Sequence, residues 1–158
     1  MKITRLFITV AAAGSLCGTI NPVMAQQERD VIEVMKSQIA TQRQALVVEN
    51  LQLTAEESEA FWPVYRKYAA ERDGLVDRRI TLLKEFRDNF DGLSDDEAKT
   101  LLDDFMKLQD DILRLQKKYL SNFRKVLSEK KTLRYFQIEN KMDTIIEYDL
   151  AQVVPLAE

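Results

Sequence analysis

Three times this chain sets a hydroxyl residue between a leucine and a long run of helical periodicity. The copies are Leu53-Thr54-Ala55-Glu56-Glu57, Leu93-Ser94-Asp95-Asp96-Glu97 and Leu127-Ser128-Glu129-Lys130-Lys131. A hydroxyl at a helix N-cap accepts a bond from an otherwise unpaired backbone N–H, and a glutamate three residues later can return one to the cap. Glu57 and Glu97 stand where they close such a box with Thr54 and Ser94. Lys131 cannot do so for Ser128, so that cap is weaker. The helices on either side of Ser128 are either separate there or continuous.

These caps divide the chain into helices. Glycine (4) and proline (3) are scarce, and no stretch alternates apolar and polar residues for the length of a sheet strand. The fold class is all-α. Helix one is expected from about Asp30 to about Val48, with Val31, Met35, Ile39 and Leu46 as a weak stripe broken by Gln38 and Gln42. It needs a partner surface for stability. Helix two runs from Thr54 to about Phe90, roughly 54 Å at 1.5 Å per residue. Pro63 falls inside it and predicts either a kink near Glu59 or a short helix followed by a new one. Asp91-Gly92 is the clearest turn. Helix three then runs to about Leu127, and helix four to about Gln152, before Val154-Pro155. The short turn at Gly92 makes helices two and three an antiparallel hairpin.

The N-terminus has the make-up of an export signal. Lys2 and Arg5 precede the mostly apolar or small run Leu6–Ile20, and Val23-Met24-Ala25 fits the small-residue rule for cleavage. Cleavage is expected between Ala25 and Gln26, with residues 26–158 as a single helical domain in the periplasm. The run is short for a membrane span, although an uncleaved anchor is the alternative. Leu16 before Cys17 disfavours a lipid anchor, and no later segment is apolar enough to span a bilayer.

Loss of the leader removes Lys2 and Arg5 but no acidic residue, so the exported chain is more acidic than the whole chain at −3. That balance does not suit a nucleic-acid binder. The single cysteine leaves with the leader, so no disulfide is expected. The chain has no histidine, which removes the commonest general base and metal ligand. Met35, Met106 and Met142 are far apart and read as core filler. With only Gly74 and Gly92 beyond the leader, there is no phosphate-binding loop, nucleophile elbow or calcium loop. No catalytic role, cofactor or metal is expected.

At 100° per residue, Phe61, Tyr65, Tyr68, Val76, Leu83 and Phe86 share a face of helix two, with Arg72 and Arg79 in its middle. Leu101, Phe105, Ile112, Tyr119, Phe123 and Leu127 share a face of helix three, with Gln109 and Gln116 at its centre. One register pairs Phe86 with Leu102, Arg79 with Gln109, Arg72 with Gln116, Tyr65 with Phe123 and Phe61 with Leu127. It predicts two polar layers, and glutamine alone cannot satisfy a guanidinium. Either a carboxylate also reaches each arginine or the face is partly open to water. The layers then either fix helix register or lie on an exposed concave surface. On the second reading Arg72, Arg79, Tyr65, Tyr68 and Phe123 are the partner contacts.

The boxes at Leu53–Glu57 and at Leu127–Lys131, the latter followed by Arg134-Tyr135-Phe136, resemble the repeated L-T-x-x-Q motifs of the Spy/CpxP family of periplasmic helical stress proteins. The likeness extends from about Glu28 to Ile146. Phe61-Trp62-Pro63-Val64-Tyr65 and Phe136-Gln137-Ile138-Glu139-Asn140-Lys141 look like an exported subgroup. The resemblance implies a curved homodimer in which hairpins interlock into a cradle. It implies binding of unfolding envelope proteins without ATP, or restraint of a sensor kinase through its periplasmic domain, or metal binding for resistance. Here Glu57 and Lys131 stand in place of the motif glutamines. The metal-binding branch relies on histidine, cysteine or methionine clusters, which this chain lacks. Independently of the resemblance, two long helices and a weak first helix leave apolar stripes uncovered, and a homodimer would cover them.

Overall fold

A computed structural model describes residues 22–152 and 154–157. Its elements are α1 (Pro22–Leu51), α2 (Ala55–Asn89), a 3₁₀ turn (Phe90–Gly92), α3 (Asp95–Phe123) and α4 (Glu129–Ala151). There is no strand among the described residues, so the fold is all-α. None of the described helices is long and apolar enough to cross a membrane. The expected leader and Cys17 lie largely outside the described residues. Pro22–Ala25, at its end, form the first turn of α1.

The chain divides into two compact units, one ending at Ala40 and one beginning at Thr41. The first unit contributes residues 22–40 of α1, where Lys36 pairs with Glu33 at 3.4 Å. The second carries residues 41–51 of α1 together with α2, α3 and α4.

Local chemistry sets the helix ends. Thr54 Oγ1 accepts from Glu57 N at 3.2 Å, and Glu57 Oε2 accepts from Thr54 N at 2.8 Å. Ser94 and Glu97 repeat the arrangement at 3.4 and 2.9 Å. Ser128 accepts from Lys131 N at 3.3 Å with no reciprocal bond.

Three boundaries differ from expectation. First, α1 is longer at both ends than Asp30–Val48, because proline is tolerated in a first turn and no breaker follows it. It ends before Gln52, whose φ of 48° is left-handed. Second, α2 is one helix with Pro63 inside it, so no new helix begins there. Third, α3 stops at Phe123 rather than Leu127, and α4 is separate. The Phe123 carbonyl accepts from both Val126 N and Leu127 N, at 3.0 and 2.9 Å, which tightens the chain into a turn ahead of the Ser128 cap.

Partners of α2 and α3 run in opposite directions along the chain. Lys118 and Tyr119 both meet Glu71, at 2.7 Å, and Arg78 meets Asp111 at 2.6 Å. Tyr68 lies 5.3 Å from Tyr119, ring to ring, and Phe61 lies 5.5 Å from Phe123. This is close to the register read from periodicity. The core sits where α1, α2 and α4 meet the end of α3: Val47, Leu51, Phe61, Tyr68, Phe123 and Tyr135 are all fully buried. Tyr135 reaches Phe123 at 4.3 Å between ring centres.

Candidate functional site

Two kinds of surface could do chemistry or recognition: a buried charge cluster at the closed end of the second unit, and two open grooves.

In the cluster, Arg43 is 4% exposed and Glu139 1%. Arg43 Nη1 donates to Glu139 Oε2 at 2.8 Å, and Nη2 donates to Asp143 Oδ1 at 2.9 Å. Arg72 Nη2 donates to the same Asp143 oxygen, and its Nε lies 4.0 Å from Glu139. Simple spacing assembles this. Arg43, Val47 and Leu51 follow one another at four-residue steps on α1, as Glu139 and Asp143 do on α4. The cluster therefore ties α1 to both α2 and α4.

Satisfaction is incomplete. Arg43 Nε, Glu139 Oε1, Tyr135 Oη and Thr132 Oγ1 are buried without a hydrogen-bond partner among the described residues. Burial raises the Glu139 carboxyl above its usual range, against the pull of Arg43 and Arg72. Burial also weighs against the Arg43 charge, but Glu139 and Asp143 together outweigh it. Desolvation lifts the Tyr135 hydroxyl well above its ordinary value, with the Glu139 charge adding to it. Such a cluster specifies an arrangement more than it adds stability, since two desolvated charges repay little beyond their own cost.

The sequence-predicted residues divide between these places. Tyr65, Tyr68 and Phe123 are buried, so they do not offer an open contact surface. The reason is Tyr135 of α4, which covers the face that α2 and α3 alone would expose. Tyr119, buried beside them, is pushed up to about 12 by burial and by its bond to Glu71. A carboxylate does reach each arginine, and in both cases it comes from α4: Asp143 for Arg72, and Glu147 for Arg79 at 3.5 Å. The expected pairing with glutamine is replaced. Gln109 lines a groove with Arg79, while Gln116 lines a different groove, between α3 and α4.

The groove that holds Arg79 and Gln109 has a volume of about 510 Å³. Leu82, Phe86, Leu101 and Phe105 line it from the two hairpin arms, with Leu150 from α4. Leu102 and Phe105 stand 59% and 48% exposed. The cap residues Thr54, Glu57, Ser94, Glu97 and Ser128 act as caps, and Glu57 has a further role. Lys131 Nζ donates to Glu57 and, at 2.9 Å, to the Gln52 carbonyl. The Lys131 hydrogen bond, then the Thr54 backbone, holds the Glu57 carboxyl below its usual range. The two residues that stand in place of motif glutamines thus bond to each other, joining the starts of α2 and α4.

Sequence reasoning missed Arg43, Glu139, Asp143 and Tyr135. Arg43 stands four residues before Val47, and Glu139 four after Tyr135, so each shares a helix face with a core residue. That was the available signal. Among the described residues, no group of three or more acidic or cysteine side chains is arranged to hold a metal ion. No family model, no characterised protein and no solved structure matches this chain.

Proposed function

We propose that this chain is a non-enzymatic helical protein of the periplasm that binds other proteins through the open hairpin groove, in the manner of an ATP-independent chaperone. The observation that carries the reading is the groove itself: leucine and phenylalanine side chains from both hairpin arms line it beside Arg79, and Leu102 and Phe105 of α3 remain about half exposed. An apolar strip rimmed by polar groups is the kind of surface that marks protein interaction. The export-type N-terminus gives the compartment, and the resemblance to the Spy/CpxP family agrees with both. The same strips make a homodimer the expected assembly, to be read by sedimentation.

The test is aggregation of a chemically denatured client with equimolar purified protein. Suppression is expected, and Leu102→Asp with Phe105→Asp should abolish most of it, because a carboxylate in the groove repels apolar client segments. Both positions are partly exposed, so the fold should survive, as helical circular dichroism would check. Absence of suppression by the unaltered protein, in both low and physiological salt, rules against the reading.

A further inference from the structure

The groove between α3 and α4 differs in chemistry from the hairpin groove. Its volume is about 720 Å³, within the range of roughly 300–1,000 Å³ typical of small-molecule sites. Leu113, Leu120, Leu133 and Phe136 supply its apolar surface, and Lys117, Arg124 and Lys130 its charge. From Leu113 to Leu120, α3 gives it an apolar length of about 10 Å at 1.5 Å per residue.

The two kinds of residue are not mixed evenly. Arg124 and Lys130 flank the connection between the helices, where the α4 N-terminus adds its partial positive charge. Leu113 and Phe136 lie farthest from that connection along their own helices. Glu129 is the single carboxylate on the groove and already pairs with Arg124, at 3.0 Å. That leaves Lys130, and Lys117 between Leu113 and Leu120, without a carboxylate partner among the described residues.

We propose that this groove binds a single-chain fatty carboxylate, tail along Leu120, Leu133 and Phe136, head at Lys130 and Arg124. Charge complementarity selects an anion, and the apolar length selects a chain. The groove is concave, which favours a free monomer over a bilayer surface. Solvated lysines beside a core leucine are common on any helical protein; an apolar lining shared by two helices, with Arg124 and Lys130 at one end of it, sets this groove apart. The inference does not depend on the protein-binding reading.

The experiment is calorimetric titration of the full chain with laurate below its aggregation concentration, against dodecyl maltoside, which has the same tail and no charge. Saturable laurate binding is expected, with the maltoside about tenfold weaker or worse. Lys130→Glu should weaken laurate by about tenfold and leave the maltoside unchanged. Leu133→Asp, at a position 61% exposed and so tolerant of change, should weaken both. Equal binding of the two amphiphiles, or laurate binding that neither variant alters, would overturn the proposal. So would preferential binding of vesicles rich in anionic phospholipid, or of an acidic amphipathic peptide. A dimer that Leu133→Asp converts to monomer, with no laurate uptake by either form, would assign the groove to a second copy instead.

Discussion

Phe105 and Phe123 occupy the same face of α3, about five turns apart, and end in opposite environments. Phe123 is fully buried, while Phe105 stays 48% exposed. Nothing in the local sequence separates them. The difference lies in what arrives from elsewhere. At Phe123, α2 brings Phe61 and Tyr68, and α4 brings Tyr135 to 4.3 Å. At Phe105, α4 is near its end and offers Leu150 and Glu147 to the groove, shortly before Val154-Pro155. A two-helix hairpin cannot bury its own aromatic face; a third helix decides where it closes.

The largest test of that contrast is truncation on the shared face. Phe123→Ala should cost about 3–5 kcal/mol, since it leaves a cavity among rings that cannot collapse into it. Phe105→Ala should cost less than about 1 kcal/mol, because much of its surface is already in water. Urea unfolding of the two variants measures this, and equal losses would break the comparison.

Next in size is the charge cluster that locks the closed end. Arg43→Met should destabilise by about 3 kcal/mol by leaving Glu139 buried beside the more distant Arg72. Arg43→Met combined with Glu139→Leu should recover most of that loss. A double-mutant cycle in urea gives the coupling, and strictly additive losses would remove the lock.

Acid should act with opposite signs at the two ends. The folded Glu139 carboxyl is raised, so it takes up a proton before its unfolded counterpart does. As pH falls from above that raised value toward about 4.5, the unaltered protein should gain stability relative to Glu139→Gln. At the hairpin tip the Ser94 hydroxyl, then the Ser94 backbone, holds Glu97 below its usual range. Its contribution is present above about 4.5 and fades as pH falls through the folded value, so the unaltered protein should lose ground to Glu97→Gln there. Urea midpoints taken stepwise in pH read both slopes, and slopes of one sign would contradict the assignment.

Much of the architecture was legible in local spacing. Thr54 with Glu57 and Ser94 with Glu97 announce two helix starts, because a cap and its partner are three residues apart. Gly92 announces the turn, and the apolar faces of α2 and α3 give a pairing close to the one that forms. The closed end was not legible in the same way. Arg43, Glu139 and Asp143 are charged residues whose partners come from other helices, and the Arg43–Glu139 pair spans 96 positions. Lys131 looked like a defective cap because its true partners, Glu57 and the Gln52 carbonyl, belong to another helix start. Periodicity reports which side of a helix is apolar, but a charge is placed by whatever meets it in space.

Trp62 carries a practical consequence. It is the chain's single tryptophan, its ring lies 5.1 Å from Phe61 and 5.2 Å from Tyr65, and its indole N–H donates to Ser58 at 2.9 Å. Tryptophan-selective emission from this protein is therefore a local optical signal from the aromatic cluster. Fraying of the hairpin tip leaves it dark to the spectrometer. A fluorescence melt that departs from one followed by amide absorption would reveal the tip loosening while the cluster remains whole.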